Sequence, residues 1–245
     1  MEVKYGLTKD FIFKEAAAFL KGKKALPVGI YKRLSSESRA RAFTVSGYTS
    51  LVVLQEFLDC LTKAMEGTTK EQFREGMNHF LQDHGYEAID PWHSDNIFRT
   101  NMQTAFCVGH YESMTDETVM KLRPYWRYRT AGDGHVRESH AVMEGRVYRA
   151  DDPIWDIWYP PNGFRCRCMV VSLSKKQSER LGLKVEKDPP VAVDPVTGEI
   201  RPKFPDKGFS NNPAKSTWKP DMAGISPELK KIFRHRKYRE EDTAD

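Results

Sequence analysis

From Ser50 onward apolar residues recur every three or four positions: Leu51, Leu54, Leu58, Leu61 and Met65, with Val53 and Phe57 widening the stripe. That period predicts an amphipathic helix over 50–65, stopped at Gly67. Thr69 followed by Gln72 forms a capping box, and Phe73, Met77, Phe80 and Leu81 make the face of a second helix running to Gly85. Pro91 breaks the chain, and Ser94 is positioned to cap a third helix through about Ser113, carrying Ile97, Phe98, Phe106 and Val108. Upstream, residues 9–21 predict a short amphipathic helix ended by Gly22, followed by a connector. The stretch 36–47 is ambiguous: helical at first, then extended at Phe43-Thr44-Val45.

Past residue 120 the period shortens from helical to alternating. Tyr125-Trp126-Arg127-Tyr128-Arg129 predicts a strand with Trp126 and Tyr128 on one face. A second strand centres on Arg146-Val147-Tyr148, and a third runs from Cys168 to Leu173. Asp151-Asp152-Pro153 and Tyr159-Pro160-Pro161-Asn162-Gly163 read as turns. Ser174 to Arg180 opens a short polar helix. Residues 184–224 are rich in Pro and Gly, which suits an arm packed on a neighbour or a flexible tail. Residues 226–240 begin as a Ser-Pro-Glu helix start and turn basic. The pattern predicts an α+β protein: a helical domain over 1–115, a small β-containing domain over 116–183 and an extended C-terminal arm over 184–245. No internal repeat is visible.

Composition changes this picture little. The 245 residues are 39% hydrophobic and 30% charged, enough apolar material for a core, with a formal net charge of +5. That charge permits an acidic or nucleic-acid partner and falls short of a dedicated DNA-packing protein. No secretory signal and no apolar run of membrane-spanning length is present, so a soluble protein made in a cytoplasm is expected. Cys60 and Cys107 lie in apolar helical runs and are expected as buried thiols.

The candidate chemistry concentrates after residue 130. Cys166-Arg167-Cys168 brings two soft donors together, and His140 is a natural third, a set suited to Zn2+. A fourth ligand is not evident; His135 or Asp133 is the candidate. The competing reading is a reduced cysteine pair packed under Trp155 and Trp158, with His140 hydrogen-bonded to Asp133 or to a backbone carbonyl. His135, Arg137 and His140 also match the parts of a metal-independent nuclease: base, phosphate clamp and acid. Tyr125, Trp126 and Tyr128 with Arg127 and Arg129 match a base-stacking strand, or simply a half-buried one. Trp155 and Trp158 are expected as core or interface anchors. Lys230, Lys231, Arg234, Arg236 and Lys237 form a basic cluster suited to DNA or an acidic surface, or a solvated helix end.

One ordered series of motifs carries a resemblance. Arg123-Pro-Tyr-Trp-x-Tyr-Arg-x-x-Gly-Asp133 is followed by Val136-Arg-x-x-His-Ala-x-x-x-Gly-x-Val147, Asp151-Asp-Pro-x-Trp155 and Tyr159-Pro-Pro-Asn-Gly-x-x-Cys-Arg-Cys168. The series resembles the phage Mu F-like head morphogenesis, or minor head, protein family. Weaker echoes at Lys24–Pro27, Arg41–Val45, Phe98–Asn101 and Gly208–Pro213 extend the likeness over roughly residues 10–215. The resemblance implies a minor head protein of a tailed phage or prophage. Such a protein meets the portal, the major capsid or scaffold proteins and packaged double-stranded DNA, in the host cytoplasm during assembly and then in the virion. It implies binding without catalysis and no membrane contact. Trp155, Trp158, Pro160, Pro161 and Gly163 would hold the small domain together. In another branch of the family a Cys-x-x-Cys pair stands in place of Arg137-x-x-His140, which implies a metal knot. Arg137 departs from that pattern and leaves the knot one ligand short.

Overall fold

The computed structural model describes residues 13–193 and 196–218. The basic cluster Lys230, Lys231, Arg234, Arg236 and Lys237, and the helix expected over 226–240, lie outside the described residues.

Helix α1 (Lys14–Lys21) buries Ala16, Ala17, Phe19 and Leu20. Strand β1 (Lys24–Ala25), helices α2 (Val28–Tyr31) and α3 (Ser36–Ala40) and strand β2 (Ala42–Phe43) follow, with β1 and β2 paired in parallel. The ambiguous stretch thus divides: the Ser35 hydroxyl caps α3, and the chain turns extended where Ala42 and Phe43 are buried. Helices α4 (Leu51–Ala64) and α5 (Lys70–Asp83) stand where the 3.6 period puts them. Ser50 caps the first, and Thr69 with Gln72 closes a capping box on the second. Their apolar stripes meet in one core of Leu54, Phe57, Leu58, Leu61, Phe73, Met77 and Leu81.

The third helix differs from expectation. Helix α6 (Pro91–Met114) begins at Pro91, and the Asp90 carboxylate accepts a hydrogen bond from the His93 N–H at 2.9 Å. Proline has no N–H to lose in a first turn and its φ already suits the helix, so Pro91 opens α6 instead of breaking the chain. Ser94 is buried inside that first turn and caps nothing. At 24 residues, α6 is about 36 Å long. It sends Ile97 into the α4–α5 core, Ala105 and Val108 against α1, and Cys107 and Met114 into a third core. Gly109 allows α1 to approach, because a Cβ there would come within 2.9 Å of the Ala16 backbone nitrogen.

Helix α7 (Glu117–Leu122) leads into β3 (Tyr125–Arg129). Helix α8 (Glu138–Ala141), β4 (Val147–Arg149), α9 (Ile154–Trp158), β5 (Met169–Leu173) and α10 (Lys175–Arg180) follow. The sheet order is β4-β3-β5, antiparallel throughout, with Trp126 opposite Tyr148 on one side and Ser172 on the other. Trp126 and Tyr128 are fully buried. The strand is therefore not a base-stacking platform: its rings belong to the core. Trp126, Trp155, Trp158 and Tyr159 fill that core, with Trp126 and Trp155 centroids 5.6 Å apart. Burying each ring contributes on the order of 2–3 kcal/mol.

The hairpin β6 (Val191–Val193) and β7 (Ile200–Pro202) belongs to the Pro-rich arm. The described part of the arm packs on the chain's own body. The Glu186 N–H donates to the Val147 carbonyl at 2.7 Å, the Asp206 N–H to Asn162 at 3.0 Å and the Asn212 amide to Trp155 at 3.1 Å. A 3-10 turn, Pro213–Lys215, brings Ser216 to the Arg41 guanidinium. The whole is an α+β fold. No helix among the described residues is long and apolar enough to cross a membrane.

Candidate metal centre

Two irregular segments bring the donors together. The short helix α8 carries His140 inward, and the loop between α9 and β5 delivers Cys166 and Cys168 at the entry to the strand. All three side chains are buried, and their ligand atoms lie within 4.8 Å of one another. His140 Nδ1 is 3.8 Å from Cys166 Sγ and 3.8 Å from Cys168 Sγ. Around a tetrahedral Zn2+ with bonds of about 2.3 Å to sulfur and 2.0 Å to nitrogen, the nitrogen-to-sulfur edge is about 3.5 Å. The donor set and its spacing fit that ion.

The outer face of the imidazole is held as a zinc-bound histidine's would be. His140 Nε2 is 3.0 Å from the Asn162 carbonyl and 3.5 Å from Asp206 Oδ1. Asn162 is wholly buried, and its amide donates to the Tyr128 hydroxyl at 2.6 Å and to the Trp158 carbonyl at 3.2 Å. The site's electrostatics favour one thiolate. Hydrogen bonding to Cys168, against the opposing effect of burial, and then to His140 holds the Cys166 thiol well below its ordinary value. The same pairing and burial push Cys168 up. Burial pulls the His140 imidazole down, yet Cys166 and Asp206 outweigh it and leave the group raised.

The other expected residues fall differently. Asp133 is exposed and pairs with Arg167 at 2.6 and 2.7 Å, which holds its carboxyl down at about 2. It is therefore neither a ligand in this arrangement nor the partner of His140. His135 is exposed and lines the small cavity beside the cluster with Val136, Arg137, Arg165 and Arg167. Arg137 donates to the Phe164 carbonyl at 2.7 Å and faces Asp206 at 3.5 Å. His140 directs Nε2 to the Asn162 carbonyl and Nδ1 to the two sulfurs, and it borders the same small cavity as His135 and Arg137. Trp155, Trp158, Pro160 and Pro161 are buried, and the Pro160-Pro161 peptide is cis. Gly163 is required by a close approach: a Cβ there would meet Asp206 Oδ2 at 2.2 Å. All four cysteines are free thiols; Cys107 is buried as expected, whereas Cys60 is half-buried against Glu56. The sequence marks Asn162 only as part of the Pro160–Gly163 turn and Asp206 not at all, because nothing local makes a turn asparagine or an arm aspartate a neighbour of His140.

The sequence model of the family described as "Phage Mu protein F like protein" matches residues 55–171. The chain is 31% identical over 249 residues to "Putative capsid assembly protein F" of Escherichia phage Mu, covering 86% of this chain and 56% of that protein. It is 33% identical over 190 residues to "Mu-like prophage FluMu F protein" of Haemophilus influenzae, covering 69% of this chain and 45% of that protein. The chain thus spans about half the length of the curated relatives it matches. No solved structure matches it. The aromatic strand, the buried His140 and the Pro160–Cys168 loop all fall inside the matched region, and the chain belongs to the phage Mu protein F-like family.

Proposed function

We propose that this protein acts in head morphogenesis of a tailed bacteriophage or prophage as a minor head protein. It binds the portal and the capsid interior during assembly and DNA packaging or delivery. The observation that carries this reading is the likeness, over 86% of the chain, to a protein named for capsid assembly. The architecture suits a binding role. An aromatic core, a three-stranded sheet and a docked arm hold one body together, and among the described residues a single buried histidine–thiol cluster sits between α8 and the loop before β5.

Within that role a structural Zn2+ on His140, Cys166 and Cys168 locks the loop before β5 to helix α8. Its chemistry is soft-donor crosslinking of segments too irregular to hold each other by backbone pairing. His135, on the adjoining cavity, is the side chain that could complete the set, and a water is the alternative. The basic cluster at Lys230, Lys231, Arg234, Arg236 and Lys237 serves as a contact for packaged DNA or an acidic partner surface.

Quantitative mass spectrometry of proheads, mature heads and portal subassemblies tests the proposal. A few copies per particle that co-isolate with the portal is the expected result. Absence from every particle overturns it.

A further inference from the structure

A second cluster lies at the start of α6 and shares Arg165 with the cavity beside the metal donors. An open cavity there is lined by Lys70, Arg74, Trp92, Ser94, Arg99 and Arg165, with two carboxylates, Glu71 and Asp95, set against the four cations. Asp95 is buried and gathers three of them. Its oxygens lie 2.9 Å from Lys70 Nζ, 2.8 Å from Arg99 Nε and 2.7 Å from Arg165. Each of these cations keeps further N–H donors, and Arg74 has no ion-pair partner among the described residues. The cluster is therefore a preformed, net-positive cradle whose members are held in place by a central carboxylate.

Three further observations point to a ligand. Ser94 is among the residues lining the cavity, and its buried hydroxyl has no hydrogen-bond partner, a state that costs free energy unless a polar group reaches it. Trp92 leaves 63% of its surface exposed, the Arg165 guanidinium 5.9 Å from its ring centroid. Arg165 sits at φ 56, left-handed backbone that a non-glycine residue adopts only under surrounding constraint, and its N–H is pinned to the Thr100 hydroxyl at 3.1 Å. Strain of this kind concentrates at ligand-holding sites, and here it aims the guanidinium at the cradle.

We infer that this cavity binds a nucleoside phosphate, the phosphate on Lys70, Arg74, Arg99 and Arg165 and the base stacked on Trp92. Cations alone would suit any acidic group. A large exposed aromatic ring beside them is the pairing that recognises a base joined to a phosphate. The ligand is either a free nucleotide or the exposed nucleotides of a nucleic-acid strand. The inference stands on this cavity and is independent of the head-assembly reading.

The test uses the full chain. Adenosine monophosphate, a 5′-phosphorylated oligothymidine, its blunt duplex, inorganic phosphate and polyglutamate are titrated while tryptophan fluorescence is followed. Anisotropy of a labelled strand gives affinity separately. Trp126, Trp155 and Trp158 are buried and Trp218 is half-buried against another core, and quenching that disappears in Trp92→Phe reports stacking at this site, while the phenyl ring largely retains affinity. Trp92→Ala weakens binding about tenfold or more. Arg74→Gln weakens every phosphorylated ligand and lowers the salt slope by about one. Neither side chain is buried, so both variants fold. Quenching by the monophosphate in competition with the strand identifies a free-nucleotide site, and quenching by the strand alone identifies a nucleic-acid site. Unchanged affinity in both variants, absence of binding, or binding of polyglutamate in place of nucleotides overturns the inference.

Discussion

His140 Nε2 lies 3.0 Å from the Asn162 carbonyl oxygen, and this fixes what the other face of the ring can do. A carbonyl only accepts, so Nε2 carries a hydrogen and Nδ1 faces two sulfurs at 3.8 Å each, free to give its lone pair to a metal bound among them. Protein expressed with zinc is therefore expected to hold about one ion per chain, and His140→Ala or Cys166→Ser to lose it, as measured by elemental analysis after gel filtration. His140→Ala also removes a buried ring and one of the two hydrogen bonds to the Asn162 carbonyl, lowering unfolding free energy in urea by about 2–4 kcal/mol. Metal-free wild-type protein would leave the trio as a reduced thiol cluster and sink the zinc assignment.

Gly163→Ala tests the close approach of the arm. The added carbon collides with the Asp206 carboxylate, which is held by Ser139 at 3.2 Å and faces Arg137 and His140. Moving it costs about 1–3 kcal/mol, read from the urea midpoint. Protease cleavage between α10 and the arm should accelerate in parallel. A variant as stable as wild type would show that the arm does not depend on this contact.

Two substitutions at the start of α6 distinguish the observed cap from the expected one. Asp90→Ala loses the hydrogen bond to the His93 N–H and should cost about 1 kcal/mol. Ser94→Ala deletes a buried hydroxyl that has no partner and should leave stability unchanged or raise it. The reverse order in thermal melts would restore Ser94 as the cap.

Acid should loosen the cradle at Asp95. Burial works to raise this carboxyl, but Lys70 and Arg99 outweigh it and hold it below its ordinary 3.8. A depressed folded value means the unfolded chain takes up the proton first. The contribution is therefore present above about pH 4 and lost as pH falls below it. Asp95→Asn should flatten the loss of stability between about pH 5 and pH 3 in urea titrations. An unchanged slope would show that the three cations do not stabilise the charged form.

What could be read from the chain follows from the range of each interaction. The faces of α4 and α5 repeat every 3.6 residues, and the burial of Trp126 and Tyr128 alternates every two, so local periodicity exposes them. The donors His140, Cys166 and Cys168 stand out because such residue types are rare together. Asp90 is not distinguishable from Ser94, four residues on, as a cap in the sequence, and only the folded chain shows that Pro91 starts the turn. Asn162 and Asp206 were illegible for a different reason. They reach His140 from irregular segments 22 and 66 residues away, where no period constrains a side chain's direction. The docking of the arm shares that difficulty, since its composition announces irregular structure and says nothing of the surface it meets.

The contact between Arg41 and Ser216 joins positions 175 residues apart. Closing a loop of that length from an unstructured chain costs on the order of 4–5 kcal/mol, far more than one hydrogen bond returns. The arm therefore latches only after the helices and sheet have shortened the distance between its ends. On the ribosome, the segment made late in synthesis seals a body begun by the segments made first. A chain cut short before Ser216 would display the unsealed surfaces around Arg41 and Trp155.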